Sequence, residues 1–176
     1  MSDLTVGKYL PRKEAVLAAC RGWPLVGNPV LESACELATI YESQNNLLLD
    51  VDDIVNNDRY QELGRIMDWA ELVDAVVCDR RDGLIASIDE WVDLVVPAAS
   101  PTAPLHAETV GLVVDRLALL TVRSYVAFAN EPGPVARAVH AQLYANATGY
   151  EELADVLSAG LRRLPSTQRR AGLRSR

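Results

Sequence analysis

The sequence predicts an all-α fold, a helical bundle of four to five main helices around a buried central helix. Three observations carry that prediction. Apolar residues recur at three- and four-residue spacing along most of the chain. No stretch shows sustained strand alternation or an Asn-Gly hairpin signal. One segment, AETVGLVVDRLALLTVRSYV from Ala107 to Val126, is apolar around most of its circumference. A helix of that kind in a globular protein lies among neighbours on all sides.

The chain has 176 residues, 49% of them hydrophobic and 23% charged, which suits one domain with a real core. The bundle is assigned to residues 1–165. Residues 166–176, with Arg169, Arg170, Arg174 and Arg176, are read as a basic, solvated and disordered tail. A tail that meets an anionic partner is the sharper alternative. A net charge of −7 argues against nucleic acid as a partner, because phosphate recognition needs a basic footprint. No run of eighteen apolar residues and no leader-like apolar core occur, so a cytoplasmic protein away from the membrane is expected. Cys20, Cys35 and Cys78 form no ligand pattern and are expected as buried, reduced thiols.

Taken in order, a short helix is expected around Arg12 to Cys20, followed by a punctuated segment whose Trp23 plugs the bundle surface. Asn28 and Pro29 form a good helix start, a capping side chain followed by a proline in the first turn. That helix should run to about Val55, burying Leu31, Ala34, Cys35, Ala38 and Tyr41, then Leu48 and Val51. Tyr41, Gln44, Asn45 and Asp52 fall on one side of it, an amide-rich strip that fits either an exposed margin or a polar pocket.

Asp58 and Gln61 are spaced as a capping box for a second long helix reaching about Val95. Val76, Ile85, Ile88 and Val92 belong to its expected packing surface, and Gly83 marks a bend or a close helix contact. Arg81, Ile85 and Asp89 recur at fours and face one way, either as exposed pairs or as an inward salt bridge. PAASPTAP is the one clear loop. After the central helix and the break at NEPGP, two shorter helices are expected, Val135 to Ala147 and Tyr150 to Leu164, with Thr148 and Glu151 as a capping box for the second.

The charges inside the central helix direct the search for function. Glu108 and Asp115 lie seven residues apart and are expected to share a face, as are Arg116 and Arg123. Buried charges must be paired. Arg116 is therefore expected to be buried against an acid of the first or second long helix, Asp52 and Asp89 being favoured.

Several of these segments carry a resemblance. Glu108, Thr109, Gly111, Asp115, Arg116 and Leu117 match the signature of the domain-of-unknown-function 4254 family, with Arg123 where the family often has Lys. Arg80 to Asp89 is similar to the family's Arg-Asn-Asp segment, with Asp82 in place of Asn and Ala86 in place of Glu. LATIYESQNNLLLDVDD resembles its first-helix motif, with Tyr41 in place of His, Gln44 of Asn, Leu48 of Trp and Val51 of Glu, while Asp52 remains. The resemblance implies a bacterial, mostly helical protein and brings no settled activity with it.

No nucleotide-binding glycine loop, zinc-protease or serine-hydrolase motif is present, so the cofactor is left open and no residue is assigned as a metal ligand. The two histidines, His106 and His140, are too few for a His-rich metal site, although His106 is placed to reach the Glu108 end. Two functional classes follow. In one, the interior polar residues bind a small polar or anionic metabolite, and the protein is an enzyme or ligand-binding accessory of bacterial, biosynthetic metabolism. Glu108 and Asp115 are then the catalytic candidates, and Arg116, Arg81, Asp89, Thr109, Tyr41 and Asn45 the binding candidates. In the other, the same network is structural and the protein is a non-catalytic homodimeric module.

Overall fold

Residues 9–165 are described by the computed structural model, apart from 24–26, 57–59 and 132 and the side chains of 47–75. Five helices follow in order: α1 (Lys13–Ala19), α2 (Pro29–Asn56), α3 (Tyr60–Val95), α4 (Val110–Asn130) and α5 (Gly133–Ser158). Among the described residues β structure is limited to isolated bridge positions at Pro11, Leu105 and Arg163, the last two paired in parallel. The basic tail and the capping box at Asp58 fall outside the described residues.

Local chemistry accounts for the helix ends. Asn28 Oδ1 accepts the amide of Val30 at 3.0 Å and opens α2, while Pro29 fills a first-turn position that needs no N–H. Thr109 caps α4, its hydroxyl accepting the amide of Leu112 at 3.3 Å. At the far end of α5, Gly160 takes a left-handed φ of +68°. The amides of Gly160 and Leu161 then reach back to the carbonyls of Leu157 and Val156, which closes the helix.

The chain forms one α5 where a break at Thr148 and Gly149 was expected. Ala136, Leu143, Ala147, Tyr150, Leu153 and Leu157 are all buried and keep one helical phase through that stretch. Burial of a continuous stripe outweighs the roughly 1 kcal/mol that a mid-helix glycine costs.

α4 is the centre of the bundle, packing against all four other helices. Val110, Val114, Leu117 and Ala118 are fully buried in it. They meet Val30, Ala34 and Leu37 of α2, Ile88 and Val92 of α3, and Leu143, Ala147 and Tyr150 of α5 in one core. α1 is docked by the Tyr150 hydroxyl, which donates to the Pro11 carbonyl at 2.9 Å, and by Glu151, which pairs with Lys13 at 2.7 Å and Arg12 at 3.2 Å.

Gly111 lets α3 and α4 touch. A Cβ there would lie 2.4 Å from the Ile85 carbonyl oxygen and 2.9 Å from Asp89 Oδ1. Gly83, expected to mark a bend or a close helix contact, faces open space, so no close contact forms there. Trp23 and Val76, expected to pack, are 71% and 64% exposed. Of the cysteines only Cys20 is buried; Cys35 is partly covered and Cys78 is exposed. No described helix is long and apolar enough to cross a membrane.

Candidate functional site

Three helices contribute one side chain each to a half-buried polar cluster. Asp115 of α4 is 5% exposed, and Arg81 of α3 grips its carboxylate through Nε to Oδ1 at 2.8 Å and Nη2 to Oδ2 at 2.5 Å. Tyr41 of α2 donates its hydroxyl proton to Oδ1 at 2.8 Å and accepts from Arg81 Nε at 2.8 Å. The fork-to-fork geometry is the strong form of a guanidinium–carboxylate contact. Burial raises the Tyr41 phenol above its ordinary value, helped by the Asp115 carboxylate. Arg81 is held above its usual value by its hydrogen bonds to Asp115, against the pull of burial. Tyr41 therefore keeps its proton at working pH and acts as a donor to Asp115, never as a base.

Of the two readings of Arg81, Ile85 and Asp89, the inward one is what the fold adopts. Eight residues beyond Arg81, the buried Asp89 accepts the Gly111 amide at 2.7 Å in the first turn of α4. A carboxylate at that place satisfies a free N–H and faces the positive end of the helix dipole. Arg81 with Asp115 and Asp89 with Gly111 are thus two polar cross-links between antiparallel helices, with Ile85 between them.

Arg116 corrects an expectation. It is not buried: its side chain is 41% exposed and pairs with Glu108, while Asp89 accepts the Gly111 amide. α4 starts at Val110, so Glu108 lies outside the helix, where the seven-residue rule that aligned it with Asp115 does not apply. Glu108, just before the N-cap, pairs with Arg116 instead. Asp115, one residue earlier and about 100° around the helix, is the side chain that turns into the bundle. The side chain of Asp52 lies outside the described residues.

The residues expected at the site therefore divide among several places. Tyr41 and Asn45, with Gln44, line a cleft of about 500 Å³ between α2, α4 and the start of α5. Its wall is mostly apolar, formed by Leu119, Val122 and Val126 of α4 and Val135 and Val139 of α5, with Arg123 and Glu131 at its margin. Glu108 and Arg116 line a second cleft of about 280 Å³ between the first half of α4 and α5, together with His106 and Asn146. Asp115, Arg81, Asp89 and Thr109 line neither and are engaged in the cluster and the caps.

Sequence reasoning placed Gln44 in the amide-rich strip without assigning it a binding role, did not take Arg123 as a site residue, and passed over Asn146. The signal for the first two was the run of polar residues one helical turn from Tyr41 and seven residues from Arg116. Asn146 gave none, because its place depends on how α5 lies along α4. Among the described residues no group of three or more His, Cys, Asp or Glu is arranged to hold a metal ion.

No curated protein and no solved structure matches the chain. A family model matches residues 36–166, a span that takes in the Tyr41–Arg81–Asp115 cluster, the Asp89 cap and both clefts. The chain belongs to the family described as protein of unknown function (DUF4254).

Proposed function

We propose that the protein binds a small amphipathic molecule in the 500 Å³ cleft, with an apolar body along α4 and α5 and an anionic head at the Gln44, Asn45 and Arg123 margin. The cleft itself carries this reading: its volume falls within the roughly 300–1,000 Å³ of small-molecule sites, and its apolar wall bears a few convergent polar groups. Arg123 makes no hydrogen bond or ion pair among the described residues and supplies the charge for a carboxylate or phosphate. Tyr41 contributes a wall whose orientation is fixed by the Asp115–Arg81 grip on its hydroxyl. The Asp115 oxygens are already occupied by three hydrogen bonds and hardly exposed, so Asp115 supports the cleft and does not act on a ligand. A ligand-binding accessory of metabolism fits this arrangement better than an enzyme with Asp115 as its acid.

Decanoate and decanol serve as probes, followed by amide chemical shifts of labelled protein. Decanoate is expected to perturb residues of α4 from 119 to 127 and to bind more tightly than decanol. Arg123→Ala should remove the difference, and Val122→Trp should abolish binding by filling the cleft. Perturbations elsewhere, or binding indifferent to Val122→Trp, would overturn the reading.

A homodimeric module is the second reading. It draws on the edge-to-face rings of Phe128, His140 and Tyr144 on α4 and α5, with centroids 5.3 and 4.7 Å apart and with Phe128 and Tyr144 exposed. A sedimentation experiment that finds a monomer at high micromolar concentration would remove it.

A further inference from the structure

The second cleft shares no residue with the first and has a different chemistry. Its floor is Val113, Tyr150 and Leu153, and its rim carries one side chain of each charge, Arg116 and Glu108. Both are partly open to solvent, 41% and 35% exposed. His106 is fixed beside them. Its backbone amide donates to the Arg163 carbonyl at 2.7 Å, and Nδ1 lies 2.7 Å from the Glu108 carbonyl oxygen. Nδ1 also lies 3.2 Å from the Glu108 amide, so the ring is held against the backbone of the residue that carries the acid. On the α5 side Gly149 lines the cleft, and a Cβ there would meet nothing within 4 Å, so a larger side chain has room to stand at this wall.

We infer that this cleft binds a free α-amino acid with an apolar side chain, its carboxylate on Arg116, its ammonium on Glu108 and its side chain against Val113, Tyr150 and Leu153. Charge balance is the reason. Arg116 and Glu108 neutralise each other when the cleft is empty, and a zwitterion can replace their mutual contact with one bond of each sign, leaving no charge unpaired. A ligand with only a carboxylate would face Glu108, and one with only an ammonium would face Arg116, so each is rejected by a like charge. A volume of about 280 Å³ sits just below the range of drug-sized sites and suits a molecule of amino-acid size.

Calorimetric titration of the full chain with leucine, 4-methylpentanoate and 3-methylbutylamine tests this. Leucine should bind at least tenfold more tightly than either single-charge analogue. Arg116→Gln should abolish leucine binding, and Glu108→Gln should narrow the gap between leucine and 4-methylpentanoate. Gly149→Leu puts a side chain across the cleft at an exposed helix position, where folding should be retained, and should also abolish binding while leaving decanoate binding in the larger cleft intact. Failure of leucine to bind at millimolar concentration would overturn the inference. So would equal binding of an analogue, or leucine binding that survives Gly149→Leu.

Discussion

Replacing Arg81 by Met and Asp115 by Asn breaks the same contact from its two ends, and the two costs should differ. In Arg81→Met the Asp115 carboxylate, whose side chain is 6% exposed, loses both guanidinium bonds and keeps only the Tyr41 hydroxyl. A fully buried ion pair broken in this way costs about 3–5 kcal/mol, most of it from the charge left behind. Because Arg81 itself is 36% exposed, water can enter where it stood, which places the expected loss near the lower end, about 3 kcal/mol. Asp115→Asn leaves the guanidinium unpaired instead, but its exposed share can rehydrate, and the Asn carbonyl still accepts a bond. A loss of about 1–2 kcal/mol follows, the scale of a single charged hydrogen bond. Urea unfolding at fixed pH reads both values, and the double variant should cost less than the sum. Equal costs, or an Arg81→Met loss under about 1 kcal/mol, would show that Asp115 is not shut off from water.

Tyr41→Phe should cost about 1–2 kcal/mol in the same assay, because Asp115 loses a donor while the ring remains in the cleft wall. Gly111→Ala should destabilise by about 1–3 kcal/mol, since the new methyl collides with the Ile85 backbone and forces α3 and α4 apart. Gly83→Ala, with open space around it, should instead stabilise by up to about 1 kcal/mol. Burial pushes the Cys20 thiol from 9.0 up to about 12, so native protein at pH 8 should leave it unmodified by a thiol reagent that labels Cys78 at once. The folded chain keeps that proton where the unfolded chain releases it, so the contribution is fully present below about pH 9 and is lost as pH rises toward 12. Replacing Cys20 by Ala should flatten that alkaline limb, and a limb of unchanged slope would contradict it.

The helices were legible in the sequence because each rests on a local signal. Asn28 and Pro29 start α2 by chemistry that needs no partner, and the apolar circumference of α4 implies neighbours before any is identified. The split of α5 at Thr148 failed because a capping pair is a weak signal against a buried stripe that continues through it. Contacts between elements were legible only as a demand for partners. The charges on α4 required opposite charges nearby, and Arg81 answered Asp115. Which of two adjacent residues, Asp115 or Arg116, turned inward depended on where α4 begins, a matter of two or three residues. The placement of Trp23 and Val76 was illegible for a related reason: an apolar side chain at a helix margin or in a turn states a preference but not a neighbour.

The polar residues of α4 divide the helix into two functional lengths. From Thr109 to Asp115, polar groups meet a cap or a cross-helix bond: Thr109 to its own first turn, Gly111 to Asp89, Asp115 to Arg81 and Tyr41. Beyond Leu119, one face of the same helix opens onto the large cleft, and Arg123 stands at its margin. Residues that hold two helices at fixed separation make poor ligand contacts, because their hydrogen-bonding capacity is already used. They make good supports, because a cleft keeps its shape only if its walls do not move. Tyr41 belongs to both lengths, with its hydroxyl in the cross-link and its side chain along the cleft. Asp115, the buried charge of α4, thus answers one requirement. A helix surrounded by neighbours and flanked by two open clefts must be tied to α2 and α3 by directional bonds, because apolar packing alone is interrupted where the clefts lie.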